Sequence, residues 1–129
     1  MAMRLYLVED NPLILENLQE TLREIPGAEL MGHSASEPEA VDWLTAHSHA
    51  WDWVVVDLFL KAGTGLGVLA KIGRMQPLKK MLVLSNYAGQ EIRQQCLRLG
   101  AHAVFDKTQE IDRFTDFIRR HSAPAHNSP

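Results

Sequence analysis

The chain reads as an α/β domain: a five-stranded parallel sheet in the flavodoxin-like order 2-1-3-4-5, with helices on both faces. Three observations predict it. Short apolar runs alternate five times with longer stretches whose apolar residues recur at helical spacing. The run Trp53-Val54-Val55-Val56 is apolar without alternation, as expected of a strand covered on both faces. Acidic, hydroxyl and amino side chains stand directly after the strand runs, at the carboxyl edge where open α/β sheets carry their sites.

Each element follows from local signals. Arg4-Leu5-Tyr6-Leu7-Val8 is a buried strand that ends in acids. Asn11 then caps a helix with Pro12 at its first position, and Ile14, Leu15, Leu18, Leu22 and Ile25 share one face. Pro26-Gly27 stops that helix. Ala28 to Met31 is a weaker second strand, and Ser36-Glu37-Pro38-Glu39 opens a second helix with Val41 and Leu44 as its apolar positions. Trp53 to Asp57 is the clearest strand. Gly63-Thr64-Gly65 leads into a third helix that ends before Pro77. Lys80 to Ser85 is the fourth strand, and Ala88 to Leu99 the fourth helix, with Gly100 just beyond its end. Ala103-Val104-Phe105 is a short fifth strand. Gln109 to Arg120 is the last helix, with Ile111, Phe114 and Ile118 facing inward. Residues 1–121 form one domain, and Ser122 to Pro129, small, polar and proline-containing, forms a flexible tail.

Composition narrows the function classes. A length of 129 residues suits one domain with its own core. A net charge of −3 carries no basic excess, so direct nucleic-acid binding by this chain is not expected. A single cysteine, Cys96, excludes an internal disulfide, and its place beside Ile92 and Leu99 marks it as inert packing. No apolar run reaches the roughly 18 residues of a membrane span, and the N-terminus lacks a signal-peptide pattern. The expected location is the cytoplasm, without membrane contact. His47-x-His49 has no third ligand at a useful spacing. Gly63-Thr64-Gly65-Leu66-Gly67 lacks the ending of a phosphate-binding loop. Trp43, Trp51 and Trp53 flank the third strand and either pack its edges or mark a partner surface.

The strand ends carry the chemistry. The first delivers Glu9 and Asp10, the third Asp57, the fourth Ser85, and Lys107 follows the fifth. Carboxylates crowded together repel unless a cation intervenes, and an all-oxygen site suits Mg2+. One carboxylate can then attack phosphorus to give an aspartyl phosphate. Phosphoryl transfer asks for alignment and for positive charge around the equatorial oxygens. Lys107 offers an ammonium and Ser85 a hydroxyl donor for that purpose.

The segments Leu7-Val8-Glu9-Asp10-Asn11, Val54-Val55-Val56-Asp57-Leu58, Leu82-Val83-Leu84-Ser85 and Gly100-Ala101…Phe105-Asp106-Lys107 resemble the receiver domain of two-component response regulators, from about Met3 to His121. The resemblance implies that Asp57 is the phospho-acceptor. It implies that Glu9, Asp10, Asp57 and the backbone carbonyl of Phe59 hold Mg2+. Lys107 pairs with the acceptor, Ser85 is the hydroxyl switch and Phe105 the aromatic switch. The chain would not be an enzyme toward an outside substrate, although it would catalyse its own phosphorylation and dephosphorylation. Its partners would be a sensor histidine kinase or a histidine phosphotransfer protein, and a downstream protein target or output domain reached through the fourth helix, fifth strand and fifth helix. Glu91, Arg93, Gln94 and Arg113 would be polar residues of that surface. Leu13, off the apolar stripe of its helix, is a candidate contact for the kinase.

Two residues depart from the family pattern. Lys61 replaces the proline usual four residues after the acceptor, and Asn86 follows Ser85 where Ala or Gly is usual. The leading reading is a stand-alone receiver that acts through protein contacts or passes its phosphoryl group to a histidine phosphotransfer protein. Competing readings are the receiver half of a DNA-binding response regulator, a flavodoxin-like cofactor-binding module, and a phosphohydrolase with an aspartyl nucleophile. The cofactor module is disfavoured by the carboxylate-lined crevice. The hydrolase is disfavoured by Phe59, which stands where a second acid would be wanted.

Overall fold

A computed structural model describes residues 2–86 and 89–122. The elements are β1 (Met3–Val8), α1 (Pro12–Arg23), β2 (Ala28–Ser34), α2 (Glu37–Ala46), β3 (Trp53–Val56), α3 (Gly65–Met75), β4 (Lys80–Ser85), α4 (Gln90–Arg98), β5 (Ala103–Asp106) and α5 (Ile111–Ser122). All strand pairs are parallel, in the order β2-β1-β3-β4-β5. That is the predicted sheet.

Strand alternation divides the core into two layers. Tyr6, Val8, Val54, Val56, Met81 and Val83 pack with Ala40, Leu44, Val68, Leu69, Ile72 and Cys96, from α2, α3 and α4. Leu5, Leu7, Val55, Leu82, Leu84 and Phe105 pack with Leu18, Leu22, Phe114 and Ile118, from α1 and α5. Because both faces are covered, β3 has no exposed residue, which is why its run shows no polar alternation. Phe114 is fully buried in the second layer, and its truncation to alanine would cost about 3–5 kcal/mol.

Caps fix where helices begin. The Asn11 side chain accepts from the amides of Leu13 and Ile14, with Pro12 at the first helical position. Ser36 caps α2 and Thr64 caps α3. Trp51 is buried and donates its indole N–H to the Leu44 carbonyl. Trp43 lies between the rings of Tyr6 and His47, with centroids 4.3 and 4.5 Å away. Trp53 meets His102, Phe117 and His121 edge-on. All three tryptophans therefore make packing contacts, with Trp43 only half-buried.

Some boundaries differ from the sequence reading. β2 continues past Met31 to Ser34. The register slips between Leu5 and Tyr6, so Gly32 pairs with Tyr6 and Met31 is the extra residue. That bulge breaks the pattern on which the shorter strand was based. Ile111 is on the solvent side of α5, whose buried stripe is Phe114, Thr115, Ile118 and Ser122. The helix begins two residues later than expected: Asp106 Oδ1 accepts from the Thr108 and Gln109 amides, so Gln109 belongs to a separate turn ahead of α5. Ser122 closes α5 as a buried residue. Gly89 precedes α4, and the expected start at Ala88 lies outside the described residues.

Candidate functional site

The carboxyl ends of β1, β3 and β4 and the turn after β5 meet in one crevice. Backbone bonds lock them together there. The Asp57 amide donates to the Val8 carbonyl at 2.9 Å, and the Lys107 amide to the Ser85 carbonyl at 3.0 Å. The Glu9 amide donates to the Ser34 carbonyl at 2.9 Å. A cavity of about 340 Å³ opens above, lined by Glu9, Asp10, Asn11, Ile14, Asp57, Phe59, Asn86 and Lys107.

Asp57 is buried and held from two sides. The Ser85 hydroxyl, fully enclosed, donates to Asp57 Oδ1 at 2.9 Å. The Lys107 ammonium lies 3.3 Å from Asp57 Oδ2 and 2.5 Å from Glu9 Oε1. Glu9, only 3% exposed, also accepts from the Asn11 amide at 3.1 Å. Burial pushes the Glu9 carboxyl above its ordinary range and the charge of Asp57 adds to this, while Lys107 and the Asn11 amide pull it down. A buried carboxylate pair is tolerated here because one ammonium serves both.

Oxygens of Glu9, Asp10 and Asp57 all lie within 4.8 Å of one another. Hard carboxylate oxygens at this spacing fit Mg2+, which keeps several of its waters and takes few protein ligands. No other such cluster occurs among the described residues. Phe59 lies on the rim with its side chain exposed and its backbone bridged to Thr64. Asn86 also borders the cavity, whereas Lys61 is solvent-exposed on the loop beyond Phe59. Leu13 is exposed, 66% of its surface open to solvent, on the turn of α1 next to the crevice.

A larger cleft of about 480 Å³ lies at the opposite, amino edge of the sheet, bordered by Met75, Pro77 and Leu78. Its one ammonium, Lys79, is committed to the carbonyls of Ser48 and Trp51. No acid lines it, so it lacks the convergent charges of the carboxyl edge.

Phe105 is buried, edge-on to Phe114 and Phe117 at 5.7 and 5.8 Å between centroids. Glu91, Gln94 and Arg113 are exposed. Arg93 is not a plain surface charge: its guanidinium donates to the Val104 carbonyl at 2.9 Å and pairs with Glu110. This tie between α4 and the β5–α5 turn escaped the sequence reading, because 17 residues separate its side chains and no local pattern joins them. The Glu37 contacts of the loop after β3 escaped it for the same reason. Tyr87 and Ala88, which follow Ser85 and Asn86 in the chain, lie outside the described residues.

The sequence matches the family model of the response regulator receiver domain over residues 5–119. The transcriptional regulatory protein MalR of Bacillus subtilis is 28% identical over 108 residues, which is 84% of this chain and 45% of MalR. The chain spans about half the length of the curated relatives it matches. Among solved structures, a LuxR-family two-component response regulator from Aurantimonas superposes with a TM-score of 0.86 at 22% identity, over 100% of this chain and 91% of that one. The CheX–CheY–BeF3–Mg complex from Borrelia burgdorferi gives 0.82 at 21% identity, over 93% and 87%. Those two likenesses carry the fold; the match over residues 5–119 carries the family, and this chain belongs to the response regulator receiver domains.

Proposed function

We propose that this domain accepts a phosphoryl group on Asp57 from a phosphohistidine of a sensor kinase or histidine phosphotransfer protein, in the cytoplasm. The observation that carries the reading is the double hold on Asp57, with the Ser85 hydroxyl on one oxygen and the Lys107 ammonium beside the other. A carboxylate oxygen of Asp57 attacks phosphorus. The bond from phosphorus to the donor nitrogen breaks, its electrons leave with the imidazole, and an acyl phosphate forms. Lys107 and Ser85 are placed to meet the new phosphoryl oxygens as they arrive. Attack of water on phosphorus then breaks its bond to the Asp57 oxygen, releasing inorganic phosphate and restoring the carboxylate. The carboxylates of Glu9, Asp10 and Asp57 and the Phe59 carbonyl would hold Mg2+, whose charge offsets that of the phosphoryl oxygens.

Output would follow from Ser85 and Phe105. Ser85 leaves Asp57 Oδ1 for the phosphoryl group, and the rearrangement passes to α4, β5 and α5. The curated relatives are transcriptional regulators longer than this chain. That favours a receiver working with an output domain, with DNA contacts made outside this domain.

The test is intact-protein mass spectrometry after incubation with acetyl phosphate and Mg2+. One added phosphoryl group is expected in the wild type and none in Asp57→Asn. Unchanged labelling of that variant would refute the assignment.

A further inference from the structure

The loop between β3 and α3 carries Phe59, and most of it is exposed. Lys61, Ala62, Gly63 and Thr64 all face solvent. The family's usual proline is absent from it, since Lys61 stands there. One residue of a different element holds it. The Glu37 amide, at the start of α2, donates to the Ala62 carbonyl at 2.9 Å. Glu37 Oε1 accepts from the Thr64 amide at 2.9 Å, and Oε2 pairs with Lys71 of α3 at 2.7 Å. Backbone groups on both sides of Gly63 are thus tied to Glu37.

The loop is shaped for this contact. Gly63 has φ +74, a left-handed conformation that glycine adopts without strain. A Cβ on Gly63 would collide with the Glu37 stem, and a Cβ on Gly67 with its carboxylate. The two glycines leave the space that Glu37 fills. The carboxylate lies at the N-terminus of α3, where helix polarity favours an anion. Lys71 and the Thr64 amide hold its carboxyl below the usual range, so it stays charged.

Thr64 in turn pairs with Phe59 across the loop, and the Gly65 amide bonds the Leu58 carbonyl at 3.0 Å. We infer that Glu37 is a positioning residue of the phosphorylation site: by fixing Thr64 and Ala62 it fixes the backbone at Phe59, and so the metal affinity of the crevice. Here a side chain from α2 does what a proline does by restricting the chain itself. The inference rests on the assignment of Asp57 and Phe59 proposed above.

The experiment is Mg2+ titration of the full chain followed by amide NMR. Shifts at Asp10 and Asp57 report affinity, and exchange of the Thr64 amide reports the loop. Glu37→Ala should weaken Mg2+ about tenfold and speed Thr64 exchange. Glu37→Gln keeps an acceptor for the Thr64 amide and should stay within about threefold of wild type. Gly67→Ala leaves Glu37 in the chain but places a methyl where its carboxylate lies. It should weaken Mg2+ in the same direction while α3, which gains a better helix former, stays folded. It therefore decides the matter even if Glu37→Ala does not fold. Wild-type affinity in Gly67→Ala, or in a folded Glu37→Ala, overturns the inference and leaves the Asp57 assignment standing. A wild type with no Mg2+-dependent shift at Asp10 or Asp57 removes the assignment and the inference together.

Discussion

Lys107 is bound more closely to Glu9 than to Asp57, at 2.5 Å against 3.3 Å. Its ammonium is thus the cation of the carboxylate cluster in this structure, and a metal ion entering the cluster meets it as a competitor. In the proposed reaction the same ammonium also meets a phosphoryl oxygen.

Lys107→Met should therefore separate the two roles. Without the resident positive charge, Mg2+ binds about fivefold more tightly, since like charges at this range repel in a partly dry site. Phosphorylation by acetyl phosphate slows by at least about a hundredfold, the usual loss when a preorganised charge donor is removed. Calorimetric Mg2+ titration and timed mass spectrometry read the two effects. Weaker Mg2+ binding in the variant would mean that Lys107 helps the metal instead of opposing it.

Ser85→Ala should uncouple labelling from response. The hydroxyl already donates to Asp57 Oδ1, so its loss frees the acceptor oxygen and, on the proposed switch, removes the group that would carry the signal toward α4. Asp57 still takes a phosphoryl group, about tenfold more slowly. Beryllofluoride-induced amide shifts in α4 and at Phe105, present in the wild type, should be lost in the variant. Their survival would assign the coupling to another residue.

Two acid-sensitive ties should show in the pH dependence of stability. Arg93 and the Asp106 amide hold Glu110 below the ordinary glutamate value of 4.5, as Lys71 and the Thr64 amide hold Glu37. A carboxyl lowered by folding stabilises the native state above that ordinary value. The gain fades as pH falls through the lower folded value. Glu9 runs the other way. Its carboxyl is raised, so without metal the native state loses stability as pH climbs from 4.5 through the raised value. Melting temperatures between pH 6 and 3 should fall with acid, and Glu110→Gln should flatten the fall. An unchanged slope would mean that the Arg93–Glu110 tie adds no pH-dependent stability.

Cys96 should be silent. It is fully buried under α4, and burial pushes its thiol up and away from thiolate formation. A thiol reagent such as dithionitrobenzoate should react at a negligible rate with the native protein and rapidly in denaturant. Fast native reaction would show that α4 opens readily.

The chemistry of the crevice was legible in the chain because its parts sit at the ends of local patterns. A run such as Trp53-Val54-Val55-Val56 must be a covered strand, and the residue after such a run must emerge at the sheet edge. Asp57, Ser85, Lys107 and the Glu9-Asp10 pair could therefore be placed together from the strand ends and the parallel topology they imply, and the resemblance to receiver domains supplied their roles. Asn11, Ser36 and Thr64 declared their helices through the capping of nearby amides, a short-range effect. Contacts between elements were decided by the folded chain alone. The bulge that extends β2 to Ser34 depends on pairing with β1. Arg93 reaches Val104 and Glu110, and Glu37 reaches Thr64 across 27 positions of sequence. Glu37 and Arg93 in particular have the composition of ordinary surface residues. Their partners are chosen by how helices pack on a twisted sheet, and side chains this far apart in sequence leave no periodic trace of meeting.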